Sequence, residues 1–288
     1  MSSQNKGKLA LIVAAFIWGI SFTAVQQALN VGWEPFSLLA MRGLLAGVAI
    51  GLFGIKRSFW KNKVLMRDGI FAGFLLTLGM ALQTIGQNLS TVQNASFITV
   101  LYVVFIPMLM WKKHKLSLSM MIAIVFAVMG TAILSLNNQL HFQIGDLFVV
   151  GAAFVFAIHI IFMTYLARHN DVVAASSIQS MTMAVLSFGI AFFLKQGIPS
   201  VGWQYVLYAG LMSSGLAFLL QMYGQTHVHP TVSGLLLTLE SLFGALGAIL
   251  ILHESLTLKV LFGGSLMMLS VVMVELGPQL IRLRQKGD

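Results

Sequence analysis

The sequence predicts an all-α membrane protein of ten transmembrane helices, arranged as two inverted five-helix repeats, and three observations lead there. Of 288 residues, 58% are hydrophobic and 9% charged. The mean hydropathy of +0.90 is far above that of a soluble domain of this length. The apolar residues gather into ten stretches of ~20 residues, the length a helix needs to cross a bilayer. Finally, a polar pattern, QxxGQ, occurs twice inside otherwise apolar sequence, at Gln83–Gln87 and again 138 residues later at Gln221–Gln225.

In chain order the stretches lie near residues 8–29, 35–54, 69–88, 93–111, 118–136, 146–167, 173–194, 203–223, 230–252 and 257–277. They are long, punctuated by glycine and only weakly alternating, which argues for helices; barrel strands would alternate over ~10 residues. The amino terminus, MSSQNKGK followed by an apolar run, resembles a signal peptide in outline. It lacks a small-residue cleavage site and the run is too long, so the first span is expected to be retained. In the second span Gly43, Gly47 and Gly51 recur every fourth residue, a stripe that lets another helix approach closely; Gly263 and Gly264 suit the same role in the tenth.

The doubled pattern organises these spans. At the offset of 138, Gly86 also falls on Gly224, and the AAF of Ala14–Phe16 falls on that of Ala152–Phe154. One ungapped offset across this distance predicts two repeats, residues 1–138 and 139–288. Five helices per repeat is an odd number, so the second repeat must enter the membrane from the opposite side. Inverted repeats around a central site are a common construction of secondary transporters.

Charge fixes the orientation. With both termini inside, cytoplasmic segments carry Lys6, Lys8, Lys56, Arg57, Lys61, Lys63, Arg67, Lys112, Lys113, Lys115, Arg168, Arg282, Arg284 and Lys286, fourteen of the seventeen Lys and Arg residues. Positive loops stay cytoplasmic. The net charge of +9 is therefore a topology signal, and no nucleic-acid partner is expected. The chain has no cysteine, which excludes disulfides and thiolate metal sites. No GxxxxGK[ST] loop occurs, so neither ATP-driven transport nor any cofactor is indicated. An enzyme, such as a membrane-embedded transferase, would need several ionisable groups converging at one depth. HESLT at 253–257 is not HExxH and falls at a span end. A nonconducting scaffold or sensor is the other alternative to a transporter.

Motifs along the whole chain carry a family resemblance: AAFIWGISF in the first span, the Arg of MRGLLAG in the second, ALQTIGQNLSTVQNASFITVLYVVFIPMLMW across the third and fourth, and LLLTLESLFGALGAILILHESLT in the ninth. Together they resemble the ten-helix EamA-like permeases of the drug/metabolite transporter superfamily. Two positions depart from that pattern: Ser241 stands where the family often has proline, and the WKKHK loop lacks the family's frequent acid. The resemblance implies a bacterial inner-membrane exporter of small metabolites, often amino acids or related compounds, with its cavity between the repeats.

Candidate residues follow from the cost of polarity at membrane depth. Gln83 and Gln87 lie one helical turn apart and share a face, as do Gln221 and Gln225. Their amides either line a cavity and bind a polar solute, or bond neighbouring helices. The inner pair, Gln83 and Gln221, is the better candidate for the cavity, because the outer pair sits nearer the helix ends. Glu240 is the one acid far from either end of a predicted span. A carboxylate there must be neutral for part of a cycle or stabilised by partners, which makes it a candidate for proton coupling or for meeting a substrate amine. Arg42, within the second span, is its candidate partner. The repeat equivalent of Glu240 is Tyr102. Trp18, Asn94, Thr99, Tyr102, His159 and Tyr223 complete the expected wall. Trp18 would stack on solute or pack against helices, and His159 would titrate or donate a single interhelical bond. Solute and membrane lipid are the expected partners; the sequence is silent on oligomeric state.

Overall fold

The computed structural model describes residues 2–54, 62–112, 116–135, 143–251 and 257–284, and among these every regular element is helical. Three long helices come first: α1 (Ser3–Asn30), α2 (Pro35–Gly54) and α3 (Lys63–Asn88). Two short helices, α4 (Val92–Thr99) and α5 (Tyr102–Met110), follow in line, and α6 (Leu118–Ser135) ends the first half. The second half opens with α7 (Ile144–His169) and α8 (Val172–Phe193). Next come α9 (Trp203–Leu207), a π-helix (Tyr208–Ala217) and α10 (Phe218–His227) as one continuous rod, then α11 (Pro230–Leu237) and α12 (Leu239–Ile251), and last α13 (Leu258–Arg284).

Among the described residues, six helical segments are long and apolar enough to cross a membrane: Ser3–Asn30, Pro35–Leu52, Lys63–Asn88, Ile144–His169, Val172–Phe193 and Trp203–His227. Four shorter apolar ones accompany them, Asn94–Met110, Leu118–Ile133, Pro230–Leu246 and Leu258–Met273. Polar side chains start several of these helices. Ser2 accepts from the Asn5 amide, Asn62 from Leu65, Thr91 from Asn94 and Asp171 from Ala174, each satisfying an N–H that the first turn leaves open. Large apolar side chains such as Leu52, Val185, Phe192 and Phe193 point outward and stay exposed. That surface suits hydrocarbon and not water.

Contacts between the halves come in exchanged pairs. A Cβ on Gly86 would lie 2.7 Å from the Gly145 carbonyl oxygen and 2.6 Å from Val149 Cγ2; one on Gly224 would lie 2.7 Å from the Gly7 oxygen and 2.6 Å from Leu11 Cγ. Adding 138 to Gly7, Leu11 and Gly86 gives Gly145, Val149 and Gly224. This is one contact made twice with the two halves exchanged, which is what a twofold relation produces. A hydrogen bond internal to each half also repeats at this offset. Gln87 Nε2 donates to the Phe22 carbonyl (3.1 Å) and Gln225 Nε2 to the Ile160 carbonyl (3.3 Å), and Ile160 is the repeat equivalent of Phe22.

The glycine stripe of α2 packs on its own equivalent, α8. A Cβ on Gly43 would strike Ser180 and Ala184, and one on Gly47 would strike Met181. The Ser177 hydroxyl donates to the Gly47 carbonyl (2.9 Å). Rising positions on α2 meet falling positions on α8, so these equivalent helices run antiparallel. Gly264 meets Leu242 of α12. The loops at 56–61, 113–115 and 137–142, HESLT up to residue 256, and Lys286 lie outside the described residues, as do the side chains of Arg282 and Arg284.

Candidate functional site

Two pairs of helices are interrupted at matching places. Val100 (φ −59°, ψ −18°) and Leu101 separate α4 from α5, and Thr238 (φ −59°, ψ −20°) separates α11 from α12; Thr238 is the repeat equivalent of Val100. The second interruption needs no proline at position 241. The Thr238 hydroxyl donates to the Leu235 carbonyl there (2.7 Å). Thr99 and Tyr102 flank the first interruption, and Glu240 falls in the first turn of α12, where unpaired N–H groups favour an acid.

Beside these interruptions the halves enclose a cavity of about 70 Å³, bordered by side chains from both. At roughly 10–15 Å³ of such space per water, that is room for several waters or a small solute. Trp18, Arg42, Gln83, Thr99, Tyr102, His159, Gln221 and Glu240 all border it. Glu240 is 5% exposed and Arg42 2%. The Tyr102 hydroxyl donates to Glu240 Oε1 at 3.4 Å. These two residues are repeat equivalents in contact with each other, so the exchange relation passes between them.

The expected Arg42–Glu240 ion pair does not form. Arg42 Nε donates to Ser214 Oγ (3.1 Å) and Nη2 to Ser213 Oγ (3.2 Å), because the π-helix carries both hydroxyls to the guanidinium. Ser21 donates to the same Ser213 Oγ (2.8 Å). Trp18 Nε1 donates to the Ser213 carbonyl (3.0 Å), and its ring meets Phe218 edge-on with centroids 4.9 Å apart. Gln83 Nε2 donates to Thr99 Oγ1 (3.0 Å). His159 Nε2 lies 3.1 Å from Gln179 Oε1. Gln221 Oε1 is buried with no hydrogen-bond partner among the described residues.

Two expected wall residues lie elsewhere. Tyr223 is 38% exposed and stacks near His227; two residues beyond Gln221, it faces the opposite side of the helix. Asn94 sits in the first turn of α4, where its amide reaches the Asp146 carboxylate that also receives Ser90, so it ties helix ends together. Gln87, from the outer pair, borders the cavity as well as bonding the Phe22 carbonyl. Sequence reasoning missed Ser21 and Ser213. Serines in apolar helices carry no signal of their own, although Ser21 is the repeat equivalent of His159.

Comparison with known proteins agrees with the doubled architecture: the model of the EamA-like transporter family matches this chain twice, over residues 5–136 and 143–276. The chain belongs to the EamA-like transporter family. Among relatives of this EamA-like chain, a protein of Archaeoglobus fulgidus described as an uncharacterized transporter is 29% identical over 272 residues, 93% of this chain and 85% of the relative. Another uncharacterized transporter, from Methanothermobacter thermautotrophicus, is 25% identical over 92% of this chain and 84% of its own length. A crystal structure matches with a TM-score of 0.78 at 15% identity, covering 96% of this chain and 99% of that one, which establishes a shared fold. Family and apolar helices together make this an integral, multi-pass membrane protein with the general function of a transporter.

Proposed function

We propose that this EamA-like protein is a secondary transporter of the bacterial inner membrane that exports a small metabolite, such as an amino acid or related compound, by alternating access to its central cavity. The observation that carries this reading is a cavity between the two halves, bordered by equivalent positions of both: Gln83 with Gln221, and Tyr102 with Glu240. A site on an exchange axis can be opened by either half in turn, one at each membrane face. The antiparallel packing of α2 on α8 supports inverted repeats, and the four shorter apolar helices supply spans beyond the six long ones. Lys and Arg positions support cytoplasmic termini.

Glu240 is the candidate coupling group and Gln83, Thr99, Trp18, His159 and Gln221 the candidate solute contacts. The test is solute flux in proteoliposomes, with and without an imposed pH gradient, for wild type and Glu240→Gln. The variant keeps the size of the side chain and its bond from Tyr102 but cannot exchange a proton. It is expected to exchange solute down its gradient while losing pH stimulation. Equal stimulation in both proteins would remove Glu240 from coupling, and no flux of any metabolite would remove the transport reading.

A further inference from the structure

A guanidinium at membrane depth is costly unless an opposite charge faces it, yet among the described residues Arg42 makes hydrogen bonds to Ser213 and Ser214 alone, both neutral. The charged and titratable groups on the other walls are engaged elsewhere. Glu240 takes the Tyr102 hydroxyl, and His159 pairs with Gln179. Among the described residues no carboxylate forms an ion pair with Arg42. Two of the five guanidinium N–H groups are used, so a fork remains for a planar acceptor.

The surroundings of that fork are built. The π-helix delivers two consecutive hydroxyls to one guanidinium, and π segments concentrate at functional sites. Ser213 Oγ accepts from both Ser21 and Arg42, which leaves its own hydrogen to donate. Its carbonyl holds the Trp18 ring through the indole N–H. Trp18, Phe22, Phe156 and Phe218 supply apolar wall beside this cluster. In the other half, Ser180 stands at the position equivalent to Arg42 and Leu75 at that of Ser213, so the cluster occurs once and the cavity has one cationic side.

We propose that Arg42, presented by Ser213 and Ser214, is the subsite for the carboxylate of the transported solute, which is therefore a small carboxylic acid with an apolar body. This rests on reading the cavity as the transport site. A carboxylate fits better than a phosphate, whose second charge would face a single guanidinium across aromatic walls.

Thermal unfolding of the purified full chain in detergent tests this with propionate, butyrate and phenylacetate, each beside its primary amide. For wild type, at least one acid is expected to stabilise the protein at a concentration roughly tenfold or more below its amide, the worth of a charge-assisted bond. In Arg42→Gln the two should fall within about twofold. Should that variant fail to fold, Arg42→Lys keeps the charge but not the fork, and is expected to bind the acid more weakly than wild type. Acid and amide acting alike in wild type, an acid preference surviving in Arg42→Gln, or Arg42→Lys binding as wild type does would each overturn the subsite. Flux of the preferred acid separates the two readings. Binding without flux leaves the carboxylate subsite and removes transport, whereas flux without acid preference does the reverse.

Discussion

Two glutamine pairs of identical chemistry do different work because their surroundings differ. Gln87 and Gln225 each hold a neighbouring helix of their own half, at the Phe22 and Ile160 carbonyls, and both side chains are buried, so truncating either removes an interhelical bond and leaves a gap, at about 1–3 kcal/mol. Gln87→Ala and Gln225→Ala are each expected to lower the melting temperature of the purified protein and its folded yield. Gln83 bonds only to Thr99 Oγ1, a hydroxyl with a second partner of its own, the Ala95 carbonyl. Gln83→Ala is therefore expected to spare folded yield and lower flux several-fold, the loss of one neutral solute bond of roughly 1 kcal/mol; a melting loss as large as that of Gln87→Ala would make Gln83 a structural amide instead. Which pair did which was only partly legible in sequence. The spacing of four residues shows that each pair shares a face, but not what that face meets. Tyr223 was misplaced because a tyrosine near a glutamine carries no phase until the inward face is known. Arg42 was legible as an intramembrane cation, and its serine partners were not.

At the scale of helices, the apolar run lengths gave nearly every rod, since length and hydropathy are local properties. Interruptions within rods were harder to read. Thr238 and Val100 take nearly the same backbone angles at the two interruptions although only one has a hydroxyl, so no residue type marks them, and the π-helix meets partners, Trp18 and Arg42, far away in sequence. Close approach at glycine was legible only as a stripe in α2. The exchanged contact at Gly86 and Gly224 needed the structure. Both sites press a backbone carbonyl at 2.7 Å from a would-be Cβ, and a carbonyl cannot rotate away as a side-chain end can. Gly86→Ala and Gly224→Ala are thus each expected to cost about 1–3 kcal/mol, seen as matched decreases in melting temperature. A silent substitution at one site beside a severe one at the other would show that the two contacts are not equivalent in energy.

Over the whole molecule, orientation is the property that packing leaves free, because a bundle with exchanged halves fits the bilayer almost equally well either way up. Charge breaks the tie. Lys and Arg crowd the connections assigned to the cytoplasm, while Lys195, between α8 and α9, is one of two cations in the loops assigned to the outside. Cations beside spans are held back during insertion, so the excess marks the cytoplasmic face. The chain has no native cysteine, which makes single-cysteine labelling direct. Gly197 lies in the α8–α9 connection with open space around a would-be Cβ, so Gly197→Cys adds a thiol without displacing a neighbour. Ser58, outside the described residues, lies among Lys56, Arg57 and Lys61. In intact cells, an impermeant maleimide is expected to label Gly197→Cys and to spare Ser58→Cys until the membrane is opened. The reverse pattern would invert the topology, and labelling of both from outside would break the assignment of five spans to the stretch between them. Because Gly197 and Ser58 belong to different halves, the outcome also tests inversion itself. Ser58 follows the second span of its repeat and Gly197 follows the second span of the other, so finding them on opposite faces requires the two repeats to cross the membrane in opposite senses.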